Sequence, residues 1–101
     1  RRSSMENYEQ IATIMKALAD PKRLKIVDLL STADSLCACE VLEHFDFTQP
    51  TLSRHMKLLE KAGIVKVTKK SQWHHYALQE DFVEDFLVIL KELLIKEKSI
   101  S

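Results

Sequence analysis

Glycine occurs once among these 101 residues, and proline only twice. A single glycine, Gly63, excludes the glycine-rich loops that wrap phosphates or dinucleotides. Cysteine occurs twice, at Cys37 and Cys39, too seldom for the disulfide framework of a secreted mini-protein. The pair is C-x-C rather than C-x-x-C, and no βαβ pattern accompanies it, so thiol-exchange catalysis has no support. Spacing suggests no Ser/His/Asp arrangement either, and the chain is expected not to be an enzyme. No run of about eighteen uncharged apolar residues exists to cross a membrane. No leader-like apolar segment opens the chain, so the cytoplasm is the expected address. An excess of either charge is lacking too: fifteen Lys and Arg balance fifteen Asp and Glu. At first sight this neutrality argues against nucleic acid.

The distribution of charge reverses that impression. Residues 28 to 47 carry five acids (Asp28, Asp34, Glu40, Glu43, Asp46) and no Lys or Arg. Residues 54 to 75 carry six bases (Arg54, Lys57, Lys61, Lys66, Lys69, Lys70) against the single acid Glu60, a local charge of +5. A binding face needs local field rather than net charge. With 46% hydrophobic and 30% charged residues the chain reads as globular, and its length suits one domain spanning 1–101. A domain this small leaves apolar surface for a partner subunit.

Hydrophobic periodicity supplies the elements. Tyr8, Ile11, Ala12, Met15, Leu18 and Ala19 recur at helical spacing and predict an amphipathic helix over about 5–18. Asp20-Pro21 reads as an N-cap with proline at the first helical position. The second helix then covers about 21–30, with Leu24, Val27 and Leu30 inward. A short third helix carries Cys37, Cys39, Val41, Leu42 and Phe45. Thr48 caps a fourth, Pro50 fits its first turn, Leu52, Met56 and Leu59 form its buried stripe, and Gly63 stops it. About three residues connect the third and fourth helices, the length of a helix-turn-helix.

The period changes at Ile64–Thr68, and Trp73–Leu78 alternates, predicting a two-stranded hairpin with Lys69-Lys70-Ser71-Gln72 at its tip. The tip lacks glycine and asparagine, so its turn signal is weak. A last helix over about 81–97 is apolar most of the way round (Phe82, Val83, Phe86, Leu87, Val88, Ile89, Leu90, Leu93, Leu94, Ile95). Such a helix needs burial on two sides, and a two-fold partner is the simplest second side. The expected fold is mainly α with a small β-hairpin: a winged helix-turn-helix of about five helices and a two-stranded wing, with the terminal helices at a dimer interface.

These residues resemble the ArsR/SmtB family of metal-responsive winged-helix repressors. MKALADPKRLKIVDLL is similar to its first-to-second helix junction, and LCACEVL to the cysteine motif at its third helix. TQPTLSRHMKLLEKAGIV is similar to its recognition helix and following strand, and QWHHYAL to its returning wing strand. The resemblance covers nearly the whole chain. It implies a homodimer that represses its operator until a toxic ion or related inducer binds, with Gln49, Ser53, Arg54 and His55 at positions associated with DNA contact.

The residues themselves allow that reading. With Leu52, Met56 and Leu59 inward, Gln49, Thr51, Ser53, Arg54 and Lys57 face out near the start of the helix. Gln pairs with adenine and Arg with guanine, each bidentate, in the major groove of double-stranded DNA. His55 has two open roles, a phosphate contact or the rim of the core. Lys69 and Lys70 would meet backbone phosphate or the adjacent minor groove.

Cys37 and Cys39 are the candidate metal ligands. Two residues apart on a regular helix they stand roughly 200° apart, so sharing one ion requires the first turn to unwind. Thiolates favour soft ions. The resemblance points to As(III) or Sb(III) as inducer, ahead of other soft metal ions, and no obligatory cofactor is expected. Arsenic-type relatives commonly use three thiols, but the candidate third position here is Leu42, leaving a small-molecule thiol, a water, Glu40 or His44. The last helix contains no His, unlike the family's zinc sensors. A reversible thiol-redox switch, structural cysteines, and a winged-helix protein-interaction module remain as alternatives.

Overall fold

Pro21, Pro50 and Gly63 mark the helix boundaries that the sequence predicts. The structure is a computed structural model that describes residues 4–95. Helix α1 (Ser4–Leu18) is followed by α2 (Pro21–Leu30), which opens behind Asp20. Asp20 has extended backbone, and its Oδ1 accepts the Lys22 N–H at 2.7 Å. Strand β1 (Leu36–Cys37) leads directly into α3 (Ala38–Leu42). The turn-type bonds from Glu43, His44 and Phe45 N–H to Glu40, Val41 and Leu42 carbonyls carry the chain on. Residues 43–48 thus connect α3 to α4 (Gln49–Lys61), a longer link than the three or so residues expected, with Asp46-Phe47-Thr48 as its last part. Gly63, at φ 80°, ends α4: its N–H bonds to Glu60 O at 2.9 Å while Ile64 N–H reaches Leu59 O at 3.0 Å. This is the double bond of a Schellman motif, which needs the left-handed residue glycine supplies. Strands β2 (Val65–Lys70) and β3 (Trp73–Leu78) and helix α5 (Phe82–Leu94) complete the chain.

The core is one cluster drawn from every element except β1 and α5, whose side chains only pack against it. Ile14 and Ala17 of α1, Ile26 and Leu30 of α2, and Ala38 and Val41 of α3 meet Leu52, Met56 and Leu59 of α4. Ile64, Val65 and Tyr76 close it from the sheet side. The inner stripe of α4 is therefore the predicted one, and its opposite face is left to solvent. No helix among the described residues is long and apolar enough to cross a membrane.

Four further expectations are corrected. The predicted two-stranded wing of β2 and β3 forms, but β1 adds a third strand on the far side of β3, in the order β1-β3-β2. Leu36 pairs with Tyr76 and Cys37 with His75, and a two-residue strand is too short to show a period in sequence. The hairpin tip is only Ser71-Gln72, because pairing runs to Lys70 opposite Trp73. Ser71 takes φ 61°, doing without glycine what a two-residue loop demands. On α1 the core takes Ile11, Ile14 and Ala17, whereas Tyr8 and Met15 of the predicted stripe are exposed. On α2 Leu30 is buried and Val27 packs on the core as predicted, but the third inward residue is Ile26 and Leu24 is exposed. Both helices carry apolar residues on more than one face, so each predicted stripe mixes core-facing residues (Ile11 and Leu18 on α1, Val27 and Leu30 on α2) with exposed ones.

Helix α5 is anchored by Phe82 and Phe86, whose stacked rings lie 5.3 Å apart and pack on the core. None of its residues is buried, and Val83, Leu87 and Val88 are each more than half exposed. Residues 96 and 97 of the predicted last helix lie outside the described residues.

Candidate DNA interface and thiol pair

Burying Leu52, Met56 and Leu59 fixes the roll of α4 and decides which side chains point outward. Gln49, Arg54 and Lys57 are exposed, and Thr51 and Ser53 are half-buried. Thr48 takes the extended N-cap backbone, but its hydroxyl accepts no backbone N–H; it lies 3.4 Å from the Thr51 hydroxyl instead. The first turn of α4 thus lacks its side-chain cap, and a helix N-terminus in that condition favours an anion such as phosphate. All six bases of the +5 window are exposed, as is Glu60. Lys69 and Lys70 are the last residues of β2 rather than loop residues, paired with His74 and Trp73, and all four are exposed.

His55 stands apart from the other candidate DNA contacts. It is half-buried, with its ring 5.5 Å from that of Phe47, which in turn stacks on Phe45 at 4.7 Å. Its Nδ1 lies 3.1 Å from Arg23 Nη1. Arg23 also donates from Nε to Ala17 O at 2.7 Å and from Nη2 to Lys16 O at 3.4 Å, and sits 3.8 Å from Asp20. Burial, reinforced by the Arg23 guanidinium, lowers the His55 pKa below its ordinary value. The Lys22 N–H bond lowers that of Asp20. Sequence reasoning missed Arg23. Its partner lies 32 residues away, and no local pattern joins the two.

Cys37 is not a helical residue. It is the N-cap of α3, with extended backbone (φ −76°, ψ 159°), and Cys39 follows in the first turn. The opposite-sides argument for a regular helix therefore does not apply. The Cα atoms are 5.3 Å apart and the two sulfurs are joined as a disulfide. Cys37 is buried and Cys39 exposed. Two further bonds knit the turn: Cys39 N–H donates to Cys37 Sγ at 3.2 Å, and Cys37 N–H donates to Glu40 Oε1 at 2.8 Å. Glu40 is thereby committed to the cap. Among the described residues, no group of three His, Cys, Asp or Glu side chains converges as on a metal ion. Through β1, Cys37 also abuts the returning wing strand, opposite His75.

Comparison with known proteins bears on this arrangement. Residues 20–67, from the cap of α2 into β2, match the model of the bacterial regulatory protein arsR family. An HTH-type transcriptional regulator of Methanocaldococcus jannaschii is 42% identical over 89 residues, covering 88% of this chain and all of that one. The arsenical resistance operon repressor of Staphylococcus xylosus is 49% identical over 78 residues, covering 77% of this chain and 74% of that one. The crystal structure of an ArsR family transcriptional regulator superposes with a TM-score of 0.71 at 29% identity, covering 89% of this chain and 95% of that one. The chain belongs to the ArsR family, as a DNA-binding transcriptional repressor of winged-helix fold and not an enzyme.

Proposed function

We propose that the protein is a homodimeric, sequence-specific repressor that α4 holds on double-stranded operator DNA and that a soft metalloid, As(III) or Sb(III), releases at Cys37 and Cys39. The observation that carries the DNA half is the roll of α4. Its apolar stripe is fully buried, which leaves Gln49, Arg54 and Lys57 free to reach base edges and phosphates. Thr51 and Ser53 would serve the first turn, and Lys69 and Lys70 the flanking phosphates. In a two-fold dimer the two α4 helices read a near-palindrome whose half-sites lie about one helical turn apart, or a multiple of it. The exposed apolar side chains of α1 (Tyr8, Met15) and α5 (Val83, Leu87, Val88) support a dimer interface built from the terminal helices. Cytoplasmic action follows from this reading.

The names of the arsenical resistance repressors among its relatives support a metalloid inducer. With the disulfide reduced, Cys37 and Cys39 stand close enough to share one soft ion without unwinding a helix turn. A third ligand would be a small-molecule thiol or water. Holding an ion would compete for the Cys37 sulfur that Cys39 N–H now uses and disturb the cap of α3. Val41 of α3 shares the core with Leu52 and Met56 of α4, and β1 pairs with the wing strand, so the disturbance has two short routes to the DNA face. Release requires the ion to bind the DNA-free conformation more tightly than the DNA-bound one.

The bonded sulfurs favour one second reading: two thiols give up two electrons and two protons to an oxidant, and the disulfide itself is the releasing signal. A gel shift at physiological salt tests the DNA half. Tight, sequence-selective binding is expected; binding only at very low salt, with no preferred sequence, would instead indicate a protein-interaction module.

A further inference from the structure

His55 lies on the operator-reading helix, yet its Nδ1 is turned toward α2. A guanidinium has donors and no acceptor, so the 3.1 Å contact with Arg23 Nη1 makes Nδ1 the acceptor and leaves the ring proton on Nε2. The same guanidinium donates to Ala17 O and Lys16 O, the carbonyls that end α1. Arg23 is therefore bonded to the end of α1 and to α4 from its own place in α2. Phe47, in the connector, lies against the imidazole with its ring 5.5 Å away and tilted to it.

We propose that Arg23 and His55 are positioning residues that lock α4 against the α1–α2 junction through a neutral His55, setting the angle at which α4 enters the major groove. The inference rests on the reading of α4 as the operator-contacting helix. Protonation would turn Nδ1 from acceptor to donor and set His⁺ against Arg23. The charged groups acting on His55 are Arg23 and Lys22 of α2, Asp20 at its cap, and Arg54 of α4 itself, three cations to one anion. Burial, the largest influence, also favours the neutral ring. The lock therefore holds above the ordinary histidine value of about 6.5 and weakens as pH falls below it toward the depressed folded value.

Two amide substitutions separate the two ring nitrogens. Asn puts an acceptor oxygen near the Nδ1 position, whereas Gln puts an NH₂ donor near the Nε2 position. Operator affinity is measured for the wild type, His55→Ala, His55→Asn and His55→Gln from pH 5 to 8, with random-sequence DNA alongside. Losing one charge-assisted bond should weaken operator binding about tenfold in His55→Ala. His55→Asn should recover most of that loss and remove the extra fall in affinity at acid pH, while His55→Gln should resemble His55→Ala. The opposite order of rescue would make Nε2 a DNA contact and overturn the proposal. Nitrogen NMR of the free wild-type protein needs neither a variant nor DNA. An unprotonated Nδ1 and protonated Nε2 on His55 are expected, and a protonated Nδ1 at neutral pH would overturn the lock. If no operator is found, the DNA reading fails while the tautomer measurement still decides whether the bond exists.

Discussion

At the residue scale, the proposed function assigns base reading and DNA attraction to different side chains. Arg54 is exposed one position before the half-buried His55, on the outward side of α4. Arg54→Ala is expected to cost about 1–3 kcal/mol of operator binding and relax specificity at one base pair, leaving random-sequence affinity much less changed. Competition binding with operator and scrambled duplexes checks this, and an unchanged ratio would remove Arg54 from the reading set. The character of such exposed residues was legible in sequence, since the cap, the stripe Leu52-Met56-Leu59 and Gly63 together fix which way α4 faces. The role of Arg23 was not legible. Its contact to His55 is long-range and polar, and hydrophobic periodicity says nothing about it.

At the scale of elements, the wing is paired further toward its tip than its sequence suggests. The Lys69–Gln72 stretch lacks the usual turn residues, yet pairing continues to Lys70 and Trp73 and leaves Ser71, at φ 61°, to make the turn. Lys70 is thus held on a strand whose partner is itself bonded to β1. Lys70→Ala should weaken operator and random DNA alike and reduce the slope of log affinity against log salt by about 1, as expected for one lost phosphate contact. Fluorescence anisotropy across a salt series measures the slope; a selective loss on the operator would make Lys70 a base-reading residue. Strand β1 escaped the sequence because two residues carry no alternation. Its consequence is that Cys37 is both the cap of α3 and a neighbour of the wing, a position that the helical spacing of Cys37 and Cys39 could not reveal.

For the whole molecule, the radius of gyration of 16.0 Å exceeds the roughly 13 Å of a compact domain this long. Helix α5 touches the core through Phe82 and Phe86 and leaves Val83, Leu87 and Val88 exposed. The sequence announced this surplus, because ten apolar residues between 82 and 95 are more than one face can hold. The predicted stripe of α1, by contrast, mixes two faces, with Ile11 and Leu18 on the core side. Tyr8 and Met15 belong to a second apolar face that the core does not use. If these faces form the dimer, Leu87→Glu should shift the protein toward monomer in sedimentation equilibrium and weaken operator binding by lost avidity, with the far-UV circular dichroism of the fold retained. A dimer that withstands the charge would place the interface elsewhere.

The central claim is that occupancy of the thiol pair controls the hold on DNA. It is tested most directly by anisotropy of the operator complex, kept reduced, during titration with arsenite. The account predicts stoichiometric release of the wild-type protein, and operator binding without arsenite release in Cys37→Ser. A reduced wild-type complex that stays bound at saturating arsenite would contradict it.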